Sequence, residues 1–501
     1  MTKQEALNIL LNKVAEILAI GQVHSVFGWD STTDGGAPVS SFGYRGNAMA
    51  FLSGESYKRI VADDTREAFE TLEGDATLTA EEAALARGAA RSYKLNSAIP
   101  KDELEKFIAL TTEADNVWRT AKEKSDYASV EPYYAKIFDF SRRVADWRGY
   151  ENHPYNALLD EYEIGLSVAA LDKFFDALRL SIVPLLRKIT DSGIQPKKID
   201  GSFPIENQRL LTRELVKTVG FDTSRGRIGE TVHPYCMLVN PNDVRIAVAY
   251  HEDDLLSGVY STIHECGHAI YDQNVRADLY KYGMHDMSMG LHESQSRFLE
   301  NIIGRSRAFA PVLLELLRSQ FDSFKKWSAD DLYSAVNIAK PSLVRIEADE
   351  LTYSLHVMVR YEIEKKLVQG EVSTKDLPEL WNAMYEEYLG VRPPTHALGA
   401  LQDSHWAGGA VGYFPTYALG TAYSAQLLHA MEKTVDWQSG VAAGDLSCVI
   451  GWLKQNVHQD GSLYMPEEVL QRATGESFNP TYYTSYLSEK FTKLYRVSQF
   501  L

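Results

Sequence analysis

Two histidines four residues apart, His264 and His268, enclose a glutamate, Glu265, in the stretch HECGHAIYDQN. Positions i and i+4 share one helical face, so both imidazoles can meet one divalent cation. Glu265 sits one step round the helix, within reach of a water on that cation without being a ligand itself. This division of roles suits hydrolysis by metal-activated water, with the carboxylate as general base. The surrounding SGVYSTIHECGHAIYDQNVR contains no proline, and Gly267 costs a helix about 1 kcal/mol relative to alanine. Three fixed positions also recur by chance, so the weight of the pattern rests on its surroundings.

A third ligand lies 25 residues beyond His268. SMGLHESQSRFLENIIGRS, residues 288–306, has the periodicity of a second amphipathic helix, with Leu291, Phe298, Leu299 and Ile302 apolar, and it offers Glu293. Three protein ligands and one open position make a catalytic zinc site; cobalt or manganese could use the same donors. His292 rivals Glu293. Adjacent helical residues point about 100° apart, so one of the two faces the cation. Glu300 either holds a ligand imidazole through its outer nitrogen or is a solvated surface charge.

Other elements must deliver these residues. TVHPYCMLVNPNDVRIAVAYH, residues 231–251, breaks the helical rule: Asn240-Pro241 and Asn242-Asp243 are turn chemistry, and Val244, Ile246, Val248 and Tyr250 alternate. A small antiparallel sheet is predicted there, with VRIAVAY as an edge strand able to pair with an extended peptide. Helices are predicted over residues 78–95, 101–124 and 168–189, the last with Leu171, Phe174, Phe175, Leu178 and Ile182 on one stripe. Residues 1–20 carry Leu7, Leu10, Leu11, Val14, Ile17 and Leu18 at helical spacing, which reads as an amphipathic helix rather than a leader. GWDSTTDGGAPVSSFGYRG, from Gly28, reads as a loop. No repeat and no linker interrupts the chain, so residues 1–501 are expected to form one mainly α domain with one small antiparallel sheet.

The chain has 501 residues, 45% hydrophobic and 24% charged, ample for a core. A net charge of −17 argues against nucleic acid or an anionic membrane as partner. Three scattered cysteines give no disulfide framework and favour a reducing, cytoplasmic setting. No apolar run is expected to span a bilayer.

Taken together, HPY at His233, DVRI at Asp243, HECGH, HESQ, VRIEADELTY from Val344 and GYFPTYALG from Gly412 stand in an order that resembles the carboxypeptidase Taq family of zinc metallocarboxypeptidases. The resemblance covers essentially the whole chain. It implies a single helical domain with a deep active-site groove, similar to angiotensin-converting enzyme and neurolysin, and removal of single C-terminal residues from peptides, often by homodimers. It also implies His264, His268 and Glu293 as metal ligands and Glu265 as general base. His233 and Arg245 match the HPF and DxRxT motifs associated with the substrate groove, Arg345 matches the basic residue of the RxxADxLT motif, and Tyr413 the tyrosine of GYFP. Two departures are visible: HPY replaces HPF, and Ala247 stands where the family has threonine, which bears on substrate contacts and not on the metal.

A carboxypeptidase must read a free carboxylate, and arginine does so with a planar fork. Arg345 and Arg245 are the candidates; the alternative for Arg345 is a helical i,i+4 pair with Asp349. His405 and Tyr413 lie on a segment punctuated by Gly408, Gly409 and Gly412, and could stabilise a developing oxyanion. An endopeptidase or dipeptidase on the same scaffold is the nearest rival activity. A non-catalytic scaffold stabilised by the metal is more remote, because a structural site has no use for Glu265.

Overall fold

The structure, a computed structural model, describes residues 1–285 and 287–498. The chain is mainly helical and divides into two compact units, each assembled from three separate stretches. Met1–Asn96, Lys197–Val336 and Ser424–Phe478 form the first unit; Ser97–Pro196, Asn337–Tyr423 and the chain from Asn479 form the second.

In the first unit, helix α1 runs from Lys3 to Thr32 behind a reciprocal cap between Thr2 and Glu5. It is longer than the sequence suggests. Gly28, Trp29 and Asp30 lie on it and not in a loop, because Trp29 is buried against Tyr235 of the sheet, with ring centroids 5.9 Å apart. Ser31, Thr32 and Thr33 turn their hydroxyls back onto the carbonyls of Phe27, Gly28 and Trp29, which lets a Ser/Thr-rich segment stay helical. By length and composition α1 could also cross a membrane, contrary to the expectation that no segment would. Its last turns carry polar but few charged residues, and here they pack on the sheet: Ser25 Oγ donates to the Leu238 carbonyl at 3.1 Å. Helix α2, Phe42–Ile60, follows, and every residue of it is at least partly exposed. The helix predicted over residues 78–95 spans Ala80–Ser97.

The sheet has strands β1 (Gly226–Glu230), β2 (Tyr235–Asn240) and β3 (Asp243–Val248) in the order β1-β3-β2. The hairpin turn after Asn240 forms as predicted, and β2 pairs antiparallel with β3. Two expectations need correction. The sheet is mixed, because β1 lies parallel to β3, and β3 is the central strand with both sides paired, so it cannot accept a peptide by strand addition. β1 was invisible to alternation because it is built on glycine: a side chain at Gly229 would strike the Trp29 ring, and one at Gly226 the Phe221 ring. Val244, Ile246 and Val248 are fully buried, as their alternation predicts. Helix α3, Leu255–Asn274, starts seven residues after β3, and α4 spans Met289–Arg297.

In the second unit, the helix over Lys101–Lys124 has the predicted ends. The helix Val168–Ser192 buries Leu171, Phe174, Phe175, Leu178 and Ile182 completely. Helix α5 spans Tyr353–Gln369, so the predicted helix through Arg345 is absent: Arg345–Glu347 is a short 3₁₀ turn. Asp349 stops it. Its carboxylate accepts from the backbone N–H groups of Lys340, Leu351 and Thr352, ordering the turn that precedes α5.

Candidate metal centre

Helix α3 begins at Asp254, whose carboxylate accepts from the Ser257 N–H at 3.1 Å. It buries Val259, Ile263, Cys266 and Ile270, and this anchoring aims His264 and His268 from the neighbouring stripe. Helix α4 starts at Ser288, whose hydroxyl accepts from the Leu291 N–H at 3.3 Å. The two helices meet at Gly267. A β-carbon there would collide with the Ser296 Cα and the Gln295 carbonyl oxygen. Glycine is therefore required at that position by backbone-to-backbone contact, not merely tolerated in the helix.

That contact brings Glu293 to the histidines. One ligand atom from each of His264, His268 and Glu293 lies within 4.8 Å of the others. Glu293 Oε2 is 3.6 Å from His264 Nε2 and 3.3 Å from His268 Nε2. Donors about 2.1 Å from a tetrahedral ion stand roughly 3.4 Å apart, so the spacing fits a zinc-sized cation with a position to spare. The other Glu293 oxygen accepts from Arg297 Nε at 2.7 Å, so the carboxylate presents one oxygen to the imidazoles.

The outer nitrogens are also engaged. His264 Nδ1 is 2.9 Å from Glu300 Oε2, and Glu300 also accepts from Arg297 at 3.1 Å and Arg305 at 3.3 Å. Glu300 is buried and is no surface charge. It arrives on a π-helical turn, Phe298–Gly304, where a continuous α-helix was expected; wide turns of this kind recur at functional sites. His292 stands behind His268, with its Nδ1 2.6 Å from the His268 Nδ1. Of the two rivals, Glu293 is the one that faces both Nε2 atoms.

Burial and charge set the protonation states. Burial pushes the Glu265 carboxyl up to about 7; His264 opposes this, while Glu293 and Glu300 reinforce it. For Glu300, burial is outweighed by Arg297, the His264 bond and Arg305, leaving it at about 2. Glu293 is likewise held well below the usual carboxylate range, its burial outweighed by Arg297 and the two imidazoles. Burial and the neighbouring His292 lower His268 to about 3, so its ring is neutral, as a ligand must be.

The remaining predicted residues are distributed as follows. In the first unit, His233 is exposed in the loop between β1 and β2. Arg245, on β3, forks onto Asp243 at 2.8 and 2.6 Å. In the second unit, Arg345 is buried and pairs with Asp403 at 2.9 and 3.2 Å and with the Tyr353 hydroxyl at 3.2 Å. Asp349 is not its partner. Arg360 holds the other Asp403 oxygen, so two guanidinium groups share one carboxylate. His405 and Tyr413 do come together, with ring centroids 5.6 Å apart. Tyr417, which sequence reasoning overlooked, joins them: its hydroxyl is 3.5 Å from His405 Nε2, and Arg345 lies over its ring at 5.0 Å. Its position four residues after Tyr413 was the available signal. The segment is pinned by buried Glu364, which accepts from Trp406 Nε1 at 2.6 Å and the Gly412 N–H at 2.9 Å. Gly412 has φ +100°, and a β-carbon there would press on the Leu158 backbone, so its glycine is obligatory.

Two imidazoles and a carboxylate brought together by α3 and α4, with Glu265 next to His264 in the chain, are the donor set expected of a metallopeptidase. The chain belongs to the carboxypeptidase Taq (M32) family of metallopeptidases, whose sequence profile spans residues 9–491, and it is a metallocarboxypeptidase. It is 41% identical to carboxypeptidase 1 of Bacillus subtilis (strain 168) over 93% of this chain and 94% of that protein. It is 35% identical to thermostable carboxypeptidase 1 of Pyrococcus furiosus, over 98% and 99% of the two chains. The crystal structure of the M32 carboxypeptidase from Deinococcus radiodurans R1 superposes with a TM-score of 0.94 at 31% identity, covering 98% of this chain and all of that one.

Proposed function

We propose that this metallocarboxypeptidase uses zinc, held by His264, His268 and Glu293, to remove single C-terminal residues from peptides with broad specificity, Glu265 acting as general base. The observation that carries this reading is the donor spacing: three ligand atoms within 4.8 Å of one another, backed by Glu300 and Arg297. A divalent cation bound here supplies Lewis acidity toward water and the scissile carbonyl. Glu265 then accepts the proton of the attacking water and delivers it to the departing amine nitrogen. Its raised basicity suits that exchange, and a bound cation would moderate it. His405 and Tyr413 are proposed to donate to the oxyanion, His233 to line the substrate site, and Arg345 or Arg245 to read the terminal carboxylate. Burial lowers His405 to about 4, so it would serve as a neutral donor.

The enzyme is further proposed to be a cytoplasmic homodimer. Tyr44 and Phe51 on α2 are 84% and 67% exposed, an apolar surface that a second copy would cover; light scattering of the purified protein should give twice the chain mass. The deciding experiment for function pairs metal analysis with chelation. The protein should contain one zinc per chain, lose hydrolysis of free-acid peptides on chelation, regain it with zinc, and act poorly on C-terminal amides throughout. Undiminished activity after complete metal removal would sink the proposal.

A further inference from the structure

The two imidazoles of the donor cluster are supported differently. His264 Nδ1 meets a carboxylate directly, whereas His268 Nδ1 meets another imidazole, His292, at 2.6 Å. The His268 and His292 planes lie within 16° of each other with centroids 4.5 Å apart. The facing nitrogens are much closer than the centroids, so the rings meet edge to edge, as a nitrogen-to-nitrogen hydrogen bond requires. On its other side, His292 Nε2 is 3.2 Å from Asp272 Oδ1. Asp272 lies on α3, one turn beyond His268, and its second oxygen accepts from the Cys236 thiol of β2 at 3.7 Å.

Only one arrangement of protons satisfies this chain when His268 offers a lone pair to a cation. With Nε2 as donor atom to the cation, a neutral His268 carries its hydrogen on Nδ1. His292 must then accept at Nδ1, so its own hydrogen is on Nε2 and is donated to Asp272. We propose that His292 and Asp272 are positioning residues forming a relay that fixes the tautomer and ring angle of His268 for metal binding. This rests on the assignment of His268 as a ligand. The role differs from that of a third ligand, which the sequence left open for His292.

The relay distinguishes the two ends of the His292 ring, and substitutions can separate them. His292→Asn keeps an acceptor near the Nδ1 position and loses the reach to Asp272. His292→Gln keeps a donor near Nε2 and loses the acceptor. His292→Phe keeps only the ring volume. Loss of an outer partner of a ligand histidine typically weakens metal binding 10–100-fold. In zinc competition against a chromophoric chelator, Phe and Gln should each weaken binding within that range, and Asn should recover much of the loss. In the cobalt-substituted wild type, proton NMR should show two slowly exchanging, paramagnetically shifted imidazole N–H signals, one from each ligand histidine. His292→Phe should lose one of them to solvent exchange while the His264 signal persists. Melting of the metal-free proteins checks that the variants fold; should Phe fail to fold, the Asn and Gln pair still carries the comparison. Wild-type zinc affinity in Gln, or both N–H signals persisting unchanged in Phe or Gln, would overturn the relay. Loss of zinc from His264→Ala but not from His268→Ala would instead overturn the ligand assignment beneath it.

Discussion

Two buried charge clusters, one in each unit, strike different balances of charge. In the first, Glu293 and Glu300 stand against Arg297 and Arg305, and Glu265, pushed by burial up to about 7, adds negative charge only as it ionises. In the second, Arg345 and Arg360 share Asp403, leaving a guanidinium in excess. Neighbouring Glu364 offsets little of it, because burial pushes its carboxyl up to about 7. Uncompensated buried charge is costly, and Glu293, Glu300 and Asp403 each accept several hydrogen bonds. The contrast shows what each is suited to receive. An ionised Glu293 beside two imidazoles suits a cation; an excess of guanidinium suits an anion such as a peptide's terminal carboxylate.

The sharpest way to break this comparison is at its acidic end. Glu265→Gln should keep the metal and lower kcat by about 10²–10⁴-fold, because an amide fills the volume without accepting a proton. Near-normal turnover in a metal-loaded Glu265→Gln protein would remove Glu265 from its role. At the basic end, Arg345→Ala should lower kcat/KM for free-acid peptides by about 2–4 kcal/mol and leave amidated peptides nearly unchanged. The same pair of substrates on Arg245→Ala ranks the two arginines. Equal losses on acid and amide in both variants would mean that neither reads the carboxylate. The ion pair with Asp403 makes a second outcome measurable: Arg345→Ala should also lower thermal stability, since it strips one of the two partners from an aspartate whose side chain is 11% exposed.

The donor cluster was legible in the sequence because its chemistry is local. His264, Glu265 and His268 share one helical turn, and Glu293 belongs to the next amphipathic segment. The Arg345 cluster was not, because its partner Asp403 is 58 residues away and the nearer Asp349 offered a plausible helical pair. The same holds for Gly267. From sequence it is a poor helix former, and only the crossing of α4 shows it to be a contact point. β1 escaped because its glycines answer to Trp29 and Phe221 rather than to any pattern along the strand. Where a residue answers to its own turn, sequence suffices; where it answers to a distant stretch, geometry is needed.

Two smaller effects refine the picture. Gly267→Ala should destabilise the protein by about 1–3 kcal/mol through overpacking and weaken zinc binding, since α4 must shift to make room. Unchanged melting would mean that the helices are free to part there. The smallest effect concerns Glu364. Its carboxyl is raised in the folded chain from an ordinary value of 4.5 to about 7. The folded state therefore holds that proton more tightly than the unfolded one. Its contribution is fully present below about pH 4.5 and is lost as pH rises toward 7. Glu364→Gln should flatten that part of the stability–pH curve, whatever constant offset the lost hydrogen bonds impose. An unaltered slope in denaturant titrations at pH 5, 6 and 7 would show that Glu364 does not titrate there.

The interleaving of the two units has a consequence for how the chain comes off the ribosome. The first unit needs residues 424–478 as well as its first 96, and the second needs the stretch that begins at Asn479. Neither can close early in synthesis, since domains fold as units once their chain is available. Gln295, two residues past Glu293, bonds His458 at 2.8 Å, so α4 gains that anchor only after residue 458 has been made. A chain not yet made as far as His458 thus carries the HECGH helix without one of the supports of its centre.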